Sequence, residues 1–219
     1  MITQKLLELD PTLVQHNEGS WSIPYTSTTG YSSFNDAGIE CETGEFLYAL
    51  ARLLKPQNIL ETGTHHGIGA SYMGMAVLHN HTGHLETIEF LPEIHKVASR
   101  RIQTMGLNTV VSCHLGDVAN FTTTTKYQLI LLDTEPQTRF AELIKFYLNL
   151  DDGGYIFIHD LHNHMHQIPN AEHGFAWPYG KIPEEMRQLV TTGKLRPFHF
   201  HTPRGLTGFY KPSPADYQW

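Results

Sequence analysis

The sequence predicts an α/β fold: a three-layer αβα sandwich around a seven-stranded, mostly parallel Rossmann-like sheet that ends in an antiparallel hairpin. Three observations carry this. Nearly continuous apolar runs such as YQLILLD at 127–133 alternate with amphipathic stretches, as a parallel sheet covered by helices on both faces requires. NILETGTHHGIGAS at 58–71 passes from a strand-like run through a glycine-rich turn straight into a helix-like run. RPFHFHTPRGLTGFYKP near the end of the chain reads as two strands joined by a tight turn.

The elements follow in order. Residues 15–42 are rich in Ser, Thr, Gly and Asn with isolated aromatics and read as an irregular arm, so that an arm or lid over 1–42 precedes one domain over 43–219. TGEFLYALARLLKP has an N-cap candidate in Thr43, apolar Phe46, Leu47, Leu50, Leu53 and Leu54 at helical spacing, and a stop at Pro56. This helix feeds the first strand, NILET. After the glycine turn and its helix, HLETIE at 84–89 alternates as a second strand. LPEIHKVASRRIQTMG opens with Pro92, carries Ile94, Val97, Ile102 and Met105, and stops at Gly106, as a helix would. VVSCH is the third strand and 127–133 the fourth; FAELIKFYLNL is a helix, GGYIFIHD at 153–160 the fifth strand set off by its glycine pair, and PEEMRQLVTTG a short helix.

Composition excludes several function classes. With 219 residues and 40% apolar content the chain can bury a full core, and no apolar run is long enough for a membrane span. The start of the sequence lacks a secretory leader pattern, so a cytoplasmic protein is expected. Two cysteines, Cys41 and Cys113, rule out a disulfide scaffold and read as buried thiols. A net charge of −7 with scattered basic residues offers no stripe for tracking phosphates, so nucleic acid is not an expected partner.

In open α/β sheets ligands bind beyond the carboxyl ends of the strands. Those ends select Glu61 and Gly63, Glu89, Asp117, Asp133, and His159 with Asp160. The glycine gaps do not fit a dinucleotide fingerprint, yet Glu89 stands twenty residues beyond Gly69, where a carboxylate can accept ribose hydroxyls. The acidic surroundings favour a nucleoside carrying positive charge over a pyrophosphate.

These motifs resemble the class I S-adenosylmethionine-dependent methyltransferases. ILETGTHHGIGAS is similar to their first motif, LETIEF to the acidic second, LGDV to the segment beside adenine, and LILLD with GGYIFIHD to their fourth and fifth strands. ETGEFLYALARLLKPQNILETGT further resembles the cation-dependent O-methyltransferases of catechols and caffeoyl esters, with the sugar and macrolide enzymes also in view. The resemblance implies S-adenosylmethionine as cofactor, with Gly63, Thr64 and Gly67 lining its methionine part, Glu89 on the ribose and Asp117 at the adenine edge, and with Glu61 and Asp133 also among the cofactor-binding residues. It implies a small-molecule hydroxyl as methyl acceptor and leaves a homodimer open.

By the same resemblance a divalent cation such as Mg2+ would sit between Asp133 and Asp160. Leu161 stands where those enzymes carry Asn, and TEPQTR after Asp133 lacks their lysine. His162 or Asn163 is a candidate third ligand, and His159 or His162 a candidate base. Fifteen histidines, five of them in 159–173, suit either a transition-metal site or a solvated loop. Trp21, Tyr25, Tyr31 and Phe34, with Phe175, Trp177 and Tyr179, are lid candidates or ordinary packing. An NAD(P)-linked oxidoreductase and a cofactor-binding protein without catalysis are the rival functions.

Overall fold

The computed structural model describes residues 1–18, 30–35, 38–161, 182–200, 202 and 204–217. The chain divides into two compact units, Met1–Phe121 and Thr122–Trp219. The first holds α1 (Ile2–Leu9), β1 (Gln15–Glu18), β2 (Tyr31–Phe34), α2 (Cys41–Leu54), β3 (Asn58–Thr62), α3 (Ile68–Asn80), β4 (His84–Glu89), α4 (Pro92–Thr104) and β5 (Val111–Leu115). The second holds β6 (Tyr127–Leu132), α5 (Arg139–Phe146), β7 (Leu150–His159), α6 (Glu184–Thr191), β8 (Arg196–Phe200) and β9 (Leu206–Tyr210). Seven strands form one sheet in the order β5-β4-β3-β6-β7-β9-β8. β3 with β4, β4 with β5 and β6 with β7 pair in parallel, while β9 runs antiparallel to both β7 and β8. The expected α/β architecture and its terminal hairpin are both present.

In the first unit α3 is buried over Ile68–Val77, so it sits in the core rather than on a surface. α2 meets it through Gly44, Leu47 and Ala51, and a Cβ on Gly44 would come within 2.3 Å of the Tyr72 ring. That contact corrects the apolar face expected from the sequence: Leu53 is 78% exposed, because the aromatic partner demands small residues where α2 touches it. The helix also begins earlier than expected. Glu40 is the N-cap residue and Thr43 is buried in the first turn; the end is set by Lys55 in the left-handed region just before Pro56.

The described part of 15–42 is more regular than the expected arm. β1 and β2 pair antiparallel, with Gln15 opposite Phe34. Tyr31 and Phe34 are buried, and Phe34 stacks on Tyr72 at 6.5 Å, so these two aromatics are core rather than lid residues. Trp21, Tyr25, Phe175, Trp177 and Tyr179 lie outside the described residues. Ahead of the strands, α1 buries Leu6, and the Thr3 hydroxyl bonds the Tyr72 hydroxyl at 2.7 Å while the Thr3 amide donates to the Glu45 carboxylate at 2.7 Å.

In the second unit β7 begins at Leu150, three residues before its expected start. Gly153, at φ +84°, lies in the stretch where the β6–β7 register shifts, so the glycine pair lets the strand bend instead of opening it. Both cysteines are free; Cys41 is buried and Cys113 half-buried, and burial pushes each thiol up to about 11. Among the described residues no helix is long and apolar enough to cross a membrane.

Candidate functional site

The first cluster lies at the carboxyl ends of β3, β4 and β5. β3 ends at Thr62 and the chain turns through Gly63 at φ +80°, His65 at +46° and Gly67 at +83° before α3 begins. Gly67 also lets α4 close in, since a Cβ there would meet the Ala98 backbone at 3.3 Å. The amides of Gly63 and Thr64 bond the Ile88 carbonyl at 3.0 and 3.1 Å, which ties the turn to the end of β4.

Glu89 closes this turn from the β4 side. It is 7% exposed, and its two carboxylate oxygens accept the His65 amide at 2.8 Å and the Leu91 amide at 2.9 Å. Each oxygen keeps a second lone pair, so a carboxylate held this rigidly can still accept a ribose diol. Phe90, Leu91 and Leu115 are more than half exposed beside it, an apolar surface of the kind a purine face covers. Asp117 lies two residues beyond the β5 partner of Glu89; it is exposed and accepts the Ala119 amide at 2.8 Å. These features fit a positively charged nucleoside cofactor.

Glu61 and Thr64 take another part. Both are about 2% exposed, and they join through Thr87, whose hydroxyl donates to Glu61 and meets the Thr64 hydroxyl. They hold the turn from beneath. Sequence reasoning missed Arg101, which it counts only among the scattered basic residues. Its Nε donates to Asp10 at 2.9 Å and its Nη1 to the His66 carbonyl at 2.5 Å, with Arg101 and Asp10 each about 5% exposed. Burial alone would raise the Asp10 carboxyl, but bonds from Thr12 and Arg101 outweigh it and hold the group below its ordinary value.

The second cluster belongs to the other unit, after β6 and β7. His159 Nδ1 lies 2.9 Å from Asp133 Oδ1 and 3.6 Å from Asp160 Oδ2, and one ligand atom from each of the three residues falls within 4.8 Å of the others. So the structure gathers Asp133, His159 and Asp160, whereas His162, His164, His166 and His173 lie outside the described residues. His159 has no exposed surface, while the Asp133 and Asp160 side chains are 14% and 21% exposed.

Two arginines that the sequence did not flag complete the cluster. Arg204 grips Asp160 with its Nε and Nη2, each at 2.7 Å, in the fork geometry that suits a carboxylate. Arg139 is buried at the start of α5; its Nη2 lies 3.2 Å from Asp133 and 3.7 Å from Asp160, its Nε donates to the Thr134 carbonyl at 2.8 Å, and its Nη1 donates to the His159 carbonyl. Burial opposes ionisation of Asp160, yet His159, Arg204 and Arg139 together hold its carboxyl below the ordinary value. The spacing of the three candidate ligands suits a metal, but their charge does not fit a hard divalent cation. Both carboxylates are already matched by guanidiniums, and Leu161, 2% exposed, offers no donor atom.

Residues 60–161 match the family described as a methyltransferase domain. A protein-L-isoaspartate O-methyltransferase of Thermosipho melanesiensis is 37% identical over 65 residues, 30% of this chain and 31% of that protein. A catechol O-methyltransferase of Niastella koreensis is 28% identical over 123 residues, 53% of this chain and 54% of that protein. The chain thus spans about half or less of the length of these curated relatives. Among solved structures, the O-methyltransferase from Bacillus cereus in complex with S-adenosylhomocysteine superposes with a TM-score of 0.64 at 17% identity, covering 80% of this chain and 83% of that one, a likeness of fold.

Proposed function

Starting from a chain whose residues 60–161 match a methyltransferase-domain family, we propose that it transfers a methyl group from S-adenosylmethionine to a hydroxyl oxygen of a small molecule. The single observation that carries the reading is Glu89, a buried carboxylate pinned by two backbone amides beside a turn of three left-handed residues. The catechol enzyme among the relatives supports a small hydroxylated acceptor, and the two free thiols suit a cytoplasmic setting.

When bound, the cofactor supplies a methyl group on a sulfonium, an electrophile whose loss leaves a neutral thioether. Glu89 holds the ribose and fixes the nucleoside against the apolar surface of Phe90 and Leu91. Gly63 and Gly67 keep side chains out of the way of the methionine part, and the buried Glu61 favours its positive charge at short range. Transfer forms the oxygen–carbon bond as the carbon–sulfur bond breaks, the bonding pair staying on sulfur. The hydroxyl proton becomes strongly acidic as its oxygen attacks, so a carboxylate suffices to take it. Asp133 is that acceptor, and His159, bonded to it and fully buried, is a positioning residue.

The rival oxidoreductase would need a nicotinamide dinucleotide, which neither the glycine spacing nor the related proteins favour. Isothermal titration of the full chain with S-adenosylmethionine, S-adenosylhomocysteine and NAD separates the two. Binding of the first two and silence with NAD is expected. Glu89→Ala should weaken S-adenosylhomocysteine by about 10- to 100-fold, as loss of a charge-assisted hydrogen bond of roughly 1.5–3 kcal/mol implies. A methyl-transfer screen over hydroxylated small molecules then distinguishes an enzyme from a protein that only binds; binding without turnover on any of them would reject the catalytic half.

A further inference from the structure

We infer that the cluster after β6 and β7 operates without a divalent cation because Arg204 and Arg139 supply the positive charge that a metal would bring. The inference rests on the methyltransferase reading for its purpose but on its own geometry for its content. Asp133 and Asp160 carry two negative charges, and two guanidiniums stand against them at 2.7 to 3.7 Å. The cluster is already neutral at its centre. A doubly charged ion placed among the three candidate ligands would face both guanidiniums across a few ångströms, where repulsion is large.

The two arginines are also built in differently. Arg139 is fixed on three sides, by the Thr134 carbonyl, the His159 carbonyl and the Asp133 carboxylate, and 4% of its side chain is exposed. It is part of the framework. Arg204 comes from the segment just before β9, 44 residues from the Asp160 whose two oxygens it occupies, with 16% of its side chain exposed. A hard cation needs those same oxygens, so Arg204 is the residue that excludes it. Asp160, whose backbone sits at φ +54°, a conformation that costs a non-glycine residue strain, presents both its oxygens to Arg204. Toward an acceptor, a guanidinium does what the metal does electrostatically: it favours the partly anionic oxygen that forms as the proton departs. Unlike the metal, it is always charged and cannot be chelated away.

The test uses Mn2+ as the probe, read by electron paramagnetic resonance on the full chain. Wild-type protein is expected to leave millimolar Mn2+ free, and Arg204→Met, which releases both oxygens of Asp160, is expected to bind it at least about tenfold more tightly. Arg204→Lys, which keeps the charge without the fork, should stay close to wild type. S-adenosylhomocysteine binding by each variant checks that it is folded. Stoichiometric Mn2+ binding by the wild type that Asp160→Asn abolishes would overturn the inference. So would folded Arg204→Met that still ignores Mn2+, because another group would then be excluding the ion. Failure of S-adenosylhomocysteine to bind the wild type would instead sink the cofactor reading and leave the Mn2+ result to stand by itself. Where a methyl acceptor is in hand, turnover unchanged by chelator is the matching expectation.

Discussion

At the scale of single residues, both clusters rest on shielded ion pairs, and two of these, Asp10 with Arg101 and Asp160 with Arg204, join partners far apart in sequence. Asp10 and Arg101 are separated by 91 positions, yet their side chains meet at 2.9 Å with 8% and 5% exposure. Removing one member of such a pair leaves the other charge buried alone, which costs about 3–5 kcal/mol. Asp10→Asn should therefore lower the urea midpoint sharply and loosen the glycine turn, since Arg101 also holds the His66 carbonyl. The pH dependence has a definite sign. The folded carboxyl of Asp10 titrates below its unfolded value, so its stabilisation is complete above about pH 4, the unfolded value, and drains away as pH falls through the lower folded one. Urea midpoints measured for wild type and Asp10→Asn between neutral pH and pH 3 should converge at the acid end; a constant gap would reject the assignment. Nothing local announces Arg101, Arg139 or Arg204. A buried arginine looks in sequence like a surface one, because its meaning resides in the partner.

Elements were far more legible than these contacts, and the reason is periodicity. The runs at 58–62, 84–89 and 127–132 are apolar enough, and the punctuation by glycine and proline regular enough, that β3, β4 and β6 fall where the pattern puts them. The carboxyl ends of the strands likewise single out Glu89, Asp133, His159 and Asp160 as candidates, and the structure shows where each lies: Glu89 against the glycine turn, the other three gathered together. Two features escaped this logic. Residues 15–42 carry few apolar positions, so β1 and β2 drew no strand signal although Phe34 anchors them against Tyr72. The inward face of α2 was misplaced because Leu and Phe were weighted over Gly44 and Ala51, while the large partner here belongs to α3. A small residue is selected at that crossing by the size of the ring opposite. Gly44→Ala forces a methyl group to within 2.3 Å of Tyr72, and one or both helices must shift. The cost should be about 1–3 kcal/mol, typical of an overpacked core, seen as a lower melting temperature with S-adenosylhomocysteine affinity nearly intact. A melting temperature equal to that of the wild type would mean that Tyr72 has room to move.

For the whole molecule, the fold says where chemistry happens and the loops decide what is done there. The seven-stranded order could be anticipated in class, but the placement of β9 between β7 and β8 brings Arg204 to Asp160, and no pattern in either segment encodes that meeting. A site is thus half written in motifs and half in topology. The same reasoning makes ligand binding a property of global stability, because a folded-state ligand withdraws the native form from the unfolding equilibrium. At a concentration 100 times its dissociation constant, S-adenosylhomocysteine should add about 2.7 kcal/mol. For a chain of this length each kcal/mol moves the melting temperature by roughly 2–4 °C, so a rise of about 5–10 °C is expected in calorimetry. Glu89→Ala at the same ligand concentration, with affinity weakened about 10- to 100-fold, should lose roughly half to five-sixths of that rise, since its amide-held carboxylate is the proposed ribose anchor. Chelator should leave the rise unchanged, because neither the glycine turn nor the arginine-matched carboxylates call on a metal. A rise that survives Glu89→Ala in full would place the ligand somewhere other than the end of β4, and the cofactor assignment would have to move with it.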